Sequence, residues 1–481
     1  MLFNSLQFAV FLLITFILYW FVANRSLNVQ NGLLLLSSYF FYSFWDWRFV
    51  FLLIFSTLLD FFTALKMDKS DSSKSRKFWF WLSISINLGL LGVFKYFNFI
   101  STVFTSFLNA QNNYSEAHPP LLLQLILPIG ISFYTFHGLS YVIDVYQNRI
   151  KPEKNFLNYA VFVAFFPLLV AGPIERATHL LPQIQRNRTF NQAIATNGLK
   201  QILWGLFKKM VIADNCAEIA NYVFGNANSL SGSNHLVGAI AFTFQIYGDF
   251  SGYTDIAIGT AKLFGIELIR NFSFPYFSRS ISEFWRRWHI SLSTWFKDYL
   301  YIPLGGSKGT IWKKISNIII IFLVSGFWHG ANWTFIVWGL LNAIYILPSI
   351  IFKSNRRYLD IIANGKIIPT FKEFYSMILT FGLTVFAWIF FRSDNLTAAF
   401  CFIRGLFCNS LFSRPSIFPR SLILLIITFM LIEWFGREKE FAIAEMGGNW
   451  PKVARWLFYY SLIAAIFYWA GTPQLFIYFQ F

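Results

Sequence analysis

The sequence predicts an all-α polytopic membrane protein. Apolar runs of spanning length follow one another with few breaks, charge is scarce, and the cations gather between the runs. Of 481 residues, 56% are hydrophobic and only 13% charged, and the mean hydropathy is +0.52. A soluble domain would need more charge to cover its surface. The first run, Leu2 to Val22, lacks a basic flank and a small-residue cleavage site, so it reads as a retained span and not a signal peptide.

The net charge of +17 follows from topology, not from a nucleic-acid surface. Lys66, Lys69, Lys74, Arg76 and Lys77 fill one loop; Arg149, Lys151 and Lys154 a second; Arg270 through Lys314 a long third; Lys353, Arg356, Arg357, Lys366 and Lys372 a fourth. By the positive-inside rule these are cytoplasmic. Asn109 to Pro120 and Asn215 to His235 contain no Lys or Arg and are placed outside, together with the N-terminus. Cys216, Cys401 and Cys408 are too scattered for a disulfide framework or thiolate site, and no metal is indicated.

In order, spans are expected near 3–22, 31–45, 49–65, 78–97, 121–146, 156–172, 199–214, 236–264, 316–330, 332–352, 375–391, 398–412, 421–435 and 456–472. A straight crossing takes about 20 residues, so 156–172, 316–330 and 398–412 read as re-entrant or tilted. Arg392, Arg404, Arg414 and Arg420 leave the sidedness of the last third open. The whole chain, 1–481, reads as a single integral membrane domain. Within it, 266–316 forms a cytoplasmic or interfacial helical segment. There Ser280 to Glu283 has capping-box form. Phe284, Trp288, Leu292 and Trp295 recur as an apolar stripe, with Arg286, His289, Ser293 and Lys297 as a polar one.

Two tryptophan-flanked histidines carry the chemistry. His329 lies in Phe327-Trp328-His329-Gly330-Ala331-Asn332-Trp333 and His289 in Trp285-Arg286-Arg287-Trp288-His289-Ile290-Ser291. Imidazole is the side chain best suited to moving a proton near neutral pH. A helix starting near Ser316 places His329 roughly 20 Å into the membrane, where a polar ring needs a partner, a wet cavity or a substrate channel. The break at Gly330 to Asn332 offers backbone groups for an oxyanion. The competing reading of His329 is a ring hydrogen-bonded between helices; for His289 it is an interfacial helix without chemistry. His118, His179 and His235 read as solvated, and His137 as packing with a local hydrogen bond. Asp249 and Asp255, two carboxylates in an apolar segment, need partners and read as structural or as orienting a histidine or arginine; Asp144 invites the same comment.

Four stretches, SFYTFHGLSYVIDVY (132–146), YGDFSGYTDIAIG (247–259), FWRRWHISLSTWFKDYLYIPLGG (284–306) and FWHGANWTFIVWGLLNA (327–343), with the closing PQLFIYFQF (473–481), resemble the membrane-bound O-acyltransferase family. The likeness is to its bacterial branch of alginate O-acetylation and teichoic-acid D-alanylation membrane proteins. The resemblance implies a ring of roughly ten to fourteen transmembrane or re-entrant helices around a central funnel. It implies that His329 and His289 are the family's histidine pair, with His329 as general base and His289 or the Gly330 backbone meeting the oxyanion. Arg286, Arg287, Trp288, Ser291, Lys297, Trp328, Asn332, Asp249 and Asp255 then become candidates for donor binding or for supporting the pair. The position of His137 is often Gln in the family, which argues against a catalytic role there. The implied reaction takes an acyl group, acetyl foremost, from acetyl-CoA or another thioester used as co-substrate, without a cofactor. The implied partners are membrane lipids, a periplasmic SGNH-type acetyltransferase and a polysaccharide acceptor, at the bacterial inner membrane. A transporter or flippase, or a noncatalytic scaffold of a polysaccharide synthase, is the alternative.

Overall fold

A computed structural model describes residues 1–111, 121–123, 125–170 and 172–479. Helices are the only regular elements among them. The chain divides into two compact units, Met1–Phe190 and Asn191–Phe481. Five helical stretches are long and apolar enough to cross a membrane: Arg48–Asp68, Ser73–Asn109, Ile311–His329, Trp333–Ile351 and Phe371–Arg392.

The first unit holds α1 (Leu6–Ile17), α2 (Leu27–Ser43), α3 (Arg48–Asp68), α4 (Ser73–Leu91), α5 (Phe97–Gln111), α6 (Ile131–Tyr146), α7 (Phe156–Ala164), α8 (Phe166–Leu169) and α9 (Ala177–Ile184). Ser5 and Ser26 cap α1 and α2 by accepting from Phe8 N and Val29 N. Buried polar side chains link neighbouring helices. Asp60 accepts from Ser83 Oγ at 2.6 Å and Asn87 Nδ2 at 2.7 Å, which ties α3 to α4. Among the described residues, the expected span 121–146 is helical only from Ile131, and 156–172 holds two short helices, as its length suggested. His118, with most of Asn109 to Pro120, lies outside the described residues.

The second unit begins with α10 (Gln192–Leu206), a π-helical turn (Phe207–Ala213) and α11 (Asp214–Gly225), all packed along the 32-residue α12 (Gly232–Leu263). Glycines let α10 and α12 meet backbone to backbone. A Cβ on Gly205 would lie 2.6 Å from Gly252 O, and one on Gly198 2.6 Å from Gly259 O. The predicted outer loop Asn215 to His235 is therefore mostly helix.

Next come the short α13 (Ile281–Arg287) and α14 (Ile290–Phe296), then α15 (Ile311–His329), α16 (Trp333–Ile351), α17 (Phe371–Arg392), α18 (Leu396–Leu406), α19 (Arg420–Gly436) and α20 (Lys452–Trp469). α15 and α16 repeat the close approach: a Cβ on Gly326 would meet the Phe335 carbonyl and lie 3.5 Å from Gly339 Cα. Ile281, Ile318, Ala343 and Ile346 form a core joining α13, α15 and α16. Val223, Ala239, Val385, Ile389, Phe402 and Leu406 form another across α11, α12, α17 and α18. α15 starts at Ile311, capped by Thr310 accepting from Lys313 N, and not near Ser316. At 1.5 Å per residue His329 then stands about 27 Å along the helix.

Candidate active site

The single amphipathic helix expected from 284 onward is broken in two. Trp288 is extended and His289 is left-handed, with φ 44° and ψ 54°, so α13 and α14 meet at a sharp joint. The polar stripe of Arg286, His289, Ser293 and Lys297 does not form, and the His289 ring turns inward with 1% exposure. A non-glycine residue in this region costs about 1–2 kcal/mol, which neighbouring contacts must hold down. Asn271 supplies them. Its backbone carbonyl accepts from Ile290 N at 2.9 Å, and its side-chain Oδ1 lies 3.1 Å from His289 Nδ1, 3.3 Å from Ser291 N and 2.9 Å from Ser291 Oγ.

His329 ends α15, 3% exposed, where Gly330 takes the chain into an extended conformation. Its ring is edge-on to Trp338 at 5.0 Å and to Phe391 at 5.4 Å. The two imidazoles share neighbours. Trp328 lies 6.2 Å from His289 and 4.8 Å from His329, ring centre to ring centre. Tyr478 lies 5.7 Å from His329 and 4.6 Å from Phe250, whose ring is edge-on to His289 at 4.7 Å. Two buried nitrogen bases, brought from separate helices into one aromatic enclosure, can pass a proton between bound reactants while excluding water. Burial in these rings pushes the His289 imidazole down to about 3, so it is neutral at working pH.

The C-terminal segment that carries Tyr478 is held by a buried ion cluster. Lys209 Nζ, on the π-helical turn, sits 2.7 Å from Asp214 Oδ1 and 2.8 Å from Asp249 Oδ1, all three 1–3% exposed. Lys209 also donates to Gln474 O at 3.0 Å, and Asp249 Oδ2 accepts from Ile477 N at 2.7 Å. Asp249 thus supports Tyr478, not an arginine or histidine. Asp255 pairs with Lys208 at 2.6 Å and Gln201 at 2.9 Å.

The chain resembles known acyltransferases over nearly its whole length. The sequence model of the membrane-bound O-acyltransferase family matches residues 147–391. The chain belongs to that family. The probable alginate O-acetylase AlgI of Pseudomonas aeruginosa is 36% identical to this acyltransferase over 467 residues, covering 94% of this chain and 85% of the relative. The peptidoglycan O-acetyltransferase of Helicobacter pylori is 39% identical, covering 78% and 73%. The teichoic acid D-alanyltransferase of Bacillus subtilis is 31% identical, covering 50% and 63%. The protein is a multi-pass membrane acyltransferase, which sets the carrier reading aside.

The other residues singled out in the sequence divide clearly in the acyltransferase. Ser291 and Trp328 touch the site. Trp288 packs between Phe272, Phe284 and Trp388, at 5.0, 5.5 and 5.2 Å. Arg286 donates to Asn355 O and Tyr358 O, and Arg287 to Glu283 and Asp360 O; both brace the 355–360 loop. Lys297 is 58% exposed beside Asp298. The Asn332 side chain caps α16 by accepting from Thr334 N and donates to Asp394 O, and Gly330 N bonds Gly326 O at 3.4 Å. Ser280 caps α13 as expected, but Glu283 reaches Arg279 N and not the Ser280 amide. His235 is not solvated: it is 1% exposed and bonds Ala227 O. His179 pairs with Glu175 at 2.9 Å. His137 accepts from Glu175 N inside its unit, a packing role as read. Asp144 pairs with Arg149 at 3.1 Å. All three cysteines are free thiols.

Two residues of the site escaped the sequence reading. Asn271 is a lone amide in an aperiodic stretch and gives no signal. Tyr478 does have one, since its closing motif, 473–481, is among the stretches that resemble the family.

Proposed function

We propose that this protein takes an acetyl group from a thioester on the cytoplasmic face, acetyl-CoA or an acyl carrier protein, and delivers it across the bacterial inner membrane. The receiving hydroxyl belongs to a cell-surface polysaccharide or to a periplasmic SGNH-type partner. The buried His289–His329 pair sharing Trp328 and the Phe250–Tyr478 wall is the observation that supports this reading. The acceptor oxygen bonds to the thioester carbonyl carbon and the C–S bond breaks. The hydroxyl proton passes to an imidazole and leaves with the departing thiolate. One ring must offer a bare nitrogen to the hydroxyl, and the other an N–H to the carbonyl oxygen as it becomes an oxyanion. Acetyl is favoured over D-alanyl because the O-acetylating relatives align over more of the chain and at higher identity. Lys297, exposed on the side assigned to the cytoplasm, is available to the phosphates of coenzyme A.

Inside-out membrane vesicles loaded with the partner and given radiolabelled acetyl-CoA outside test this. Label reaches the lumen with the native chain and falls about 10²- to 10⁴-fold in His329→Ala and His289→Ala at matched protein level. Equal labelling in native and variant vesicles would leave only a scaffold role.

A further inference from the structure

The C-terminal ends of α11 and α17 and the start of α18 enclose a polar cleft of about 520 Å³ that the transfer step does not use. α17 leaves the basic loop 353–372, and α15 the basic stretch before it, both assigned to the cytoplasm. Arg392 at the end of α17 and His329 at the end of α15 therefore lie toward the same, outer side. Among the residues lining the cleft Arg392 is the cation. Its side chain is 20% exposed, and its neighbours fix the guanidinium: it donates to Asn221 Oδ1 at 2.8 Å, lies over the Phe224 ring at 5.4 Å and stays 3.9 Å from Asp394 Oδ1. Phe224 is stacked in turn on Phe402 at 4.2 Å, which backs the guanidinium with two aromatic layers. The Asn221 bond uses one N–H of the five that a guanidinium carries.

The remaining groups describe a ligand. Asn228 and Thr397 are exposed on the wall, and their side chains make no hydrogen bond among the described residues. Asn395 Oδ1 caps α18 by accepting from Ala398 N, which leaves its NH2 to the cleft. A carboxylate matches the planar fork of Arg392. The amides, the hydroxyl and the Asp394 carboxylate, 88% exposed, supply donors and acceptors for several hydroxyls in a space far larger than one small anion. Asp394 also disfavours a phosphate monoester, whose second negative charge would face a carboxylate. The cleft is tied to the site. Phe391, the residue before Arg392, is edge-on to His329 at 5.4 Å, and Asn332 Nδ2 donates to the Asp394 carbonyl at 2.6 Å. Asn221 Nδ2 lies 3.5 Å from Gln474 Oε1, in the C-terminal segment that carries Tyr478.

We propose that this cleft is a holding site for the acceptor chain, binding a carboxylate-bearing sugar of a cell-surface polysaccharide through Arg392, with its hydroxyls on Asn228, Asn395, Thr397 and Asp394. The site rests on the outward-facing acceptor of the function proposed above, and it favours a glycan over a hydroxyl on a protein. No bond forms or breaks in the cleft. The sugar held there raises the local concentration of the same chain's other hydroxyls on the outer side of His329.

Cys401, an exposed thiol on the cleft wall, is the reporter, and Cys216 is buried. In full-length protein carrying Cys408→Ser, a membrane-impermeant maleimide should label Cys401 in right-side-out vesicles and not in sealed inside-out ones. An oligogalacturonate at saturation should slow that labelling by about fivefold or more, and a neutral cello-oligosaccharide of the same length far less. Arg392→Gln should raise the half-protecting concentration roughly tenfold or more. Asn228→Ala and Thr397→Ala, whose side chains hold no part of the fold by hydrogen bonds, should each raise it about three- to tenfold. Labelling from the cytoplasmic face only, equal protection by the neutral chain, or unchanged protection in Arg392→Gln would overturn the inference. Inorganic phosphate that protects as well as the sugar acid, or protection by phosphatidylglycerol vesicles without glycan, would overturn it too, by giving the guanidinium to a free anion or a lipid headgroup. Equal lumenal labelling from acetyl-CoA in native and His329→Ala vesicles would instead remove the proposed function and leave the binding result in place.

Discussion

Lys209→Met is the substitution whose cost the structure fixes best. The lysine is 1% exposed, and its Nζ bonds two carboxylates, at 2.7 and 2.8 Å, and the Gln474 carbonyl at 3.0 Å. Methionine keeps the volume and removes the charge, so Asp214 and Asp249, each about 2% exposed, lose the cation between them. Removing one partner of a buried ion pair costs about 3–5 kcal/mol, most of it from the charge left behind. At about 1.4 kcal/mol per tenfold, that raises the unfolded fraction by between roughly 10²-fold and a few thousandfold. The triple variant Lys209→Met, Asp214→Asn, Asp249→Asn has no stranded charge and should recover all but about 1–2 kcal/mol. It should still release the C-terminal segment, because Gln474 O has lost its donor. Melting of detergent-purified protein at one scan rate, followed by tryptophan fluorescence, ranks native, triple and single in descending order. Labelling in vesicles stays low in both variants. A single variant that melts with the native protein, or a triple as unstable as the single, would refute the electrostatic reasoning.

Gly330→Ala should lower both stability and labelling, since its Cβ would run into the Phe335 ring, an overpacking of about 1–3 kcal/mol; Phe335→Leu in the same chain should restore part of both. Gly326→Leu should prevent accumulation of folded protein by prising α15 from α16, whereas Gly32→Ala, with open space around it, should change melting by less than about 1 kcal/mol. His289 has a folded value near 3 against 6.5 for the free side chain, so the unfolded chain binds the proton first. Its contribution to stability is intact above pH 6.5 and drains away as the pH falls from there toward 3. Melting curves of native protein and His289→Gln should run parallel above pH 7 and converge or cross in acid, and parallel curves down to pH 4 would contradict this.

The helices and the histidine pair were legible because hydropathy and odd Trp-His composition survive in one dimension. Other features depend on what lies opposite. Phe284, Trp288, Leu292 and Trp295 have helical spacing, so a continuous helix was the natural reading, and nothing local announces that His289 takes a left-handed conformation without being glycine. The partner that makes this conformation tolerable, Asn271, is 18 residues upstream. His235 stands among Ser and Asn residues and reads as solvated, yet it opens α12 and packs edge-on against Phe402 at 4.6 Å. Asp249 and Asp255 needed cations, as their burial requires, but those came from Lys208 and Lys209 on a π-helical turn, a register irregularity that apolar periodicity does not encode.

Where α10 lies on α12, and α15 on α16, main chain touches main chain with no layer of side chains to slide or repack. Each pair is mechanically one beam. Phe250 and Asp249 ride on the first, and Trp328 and His329 on the second. His289 rides on neither, but on two seven-residue helices joined at its own bent backbone. The compliance of the site is thus gathered at one residue, and amide exchange should be slow along α12 and α15 and faster across α13 and α14.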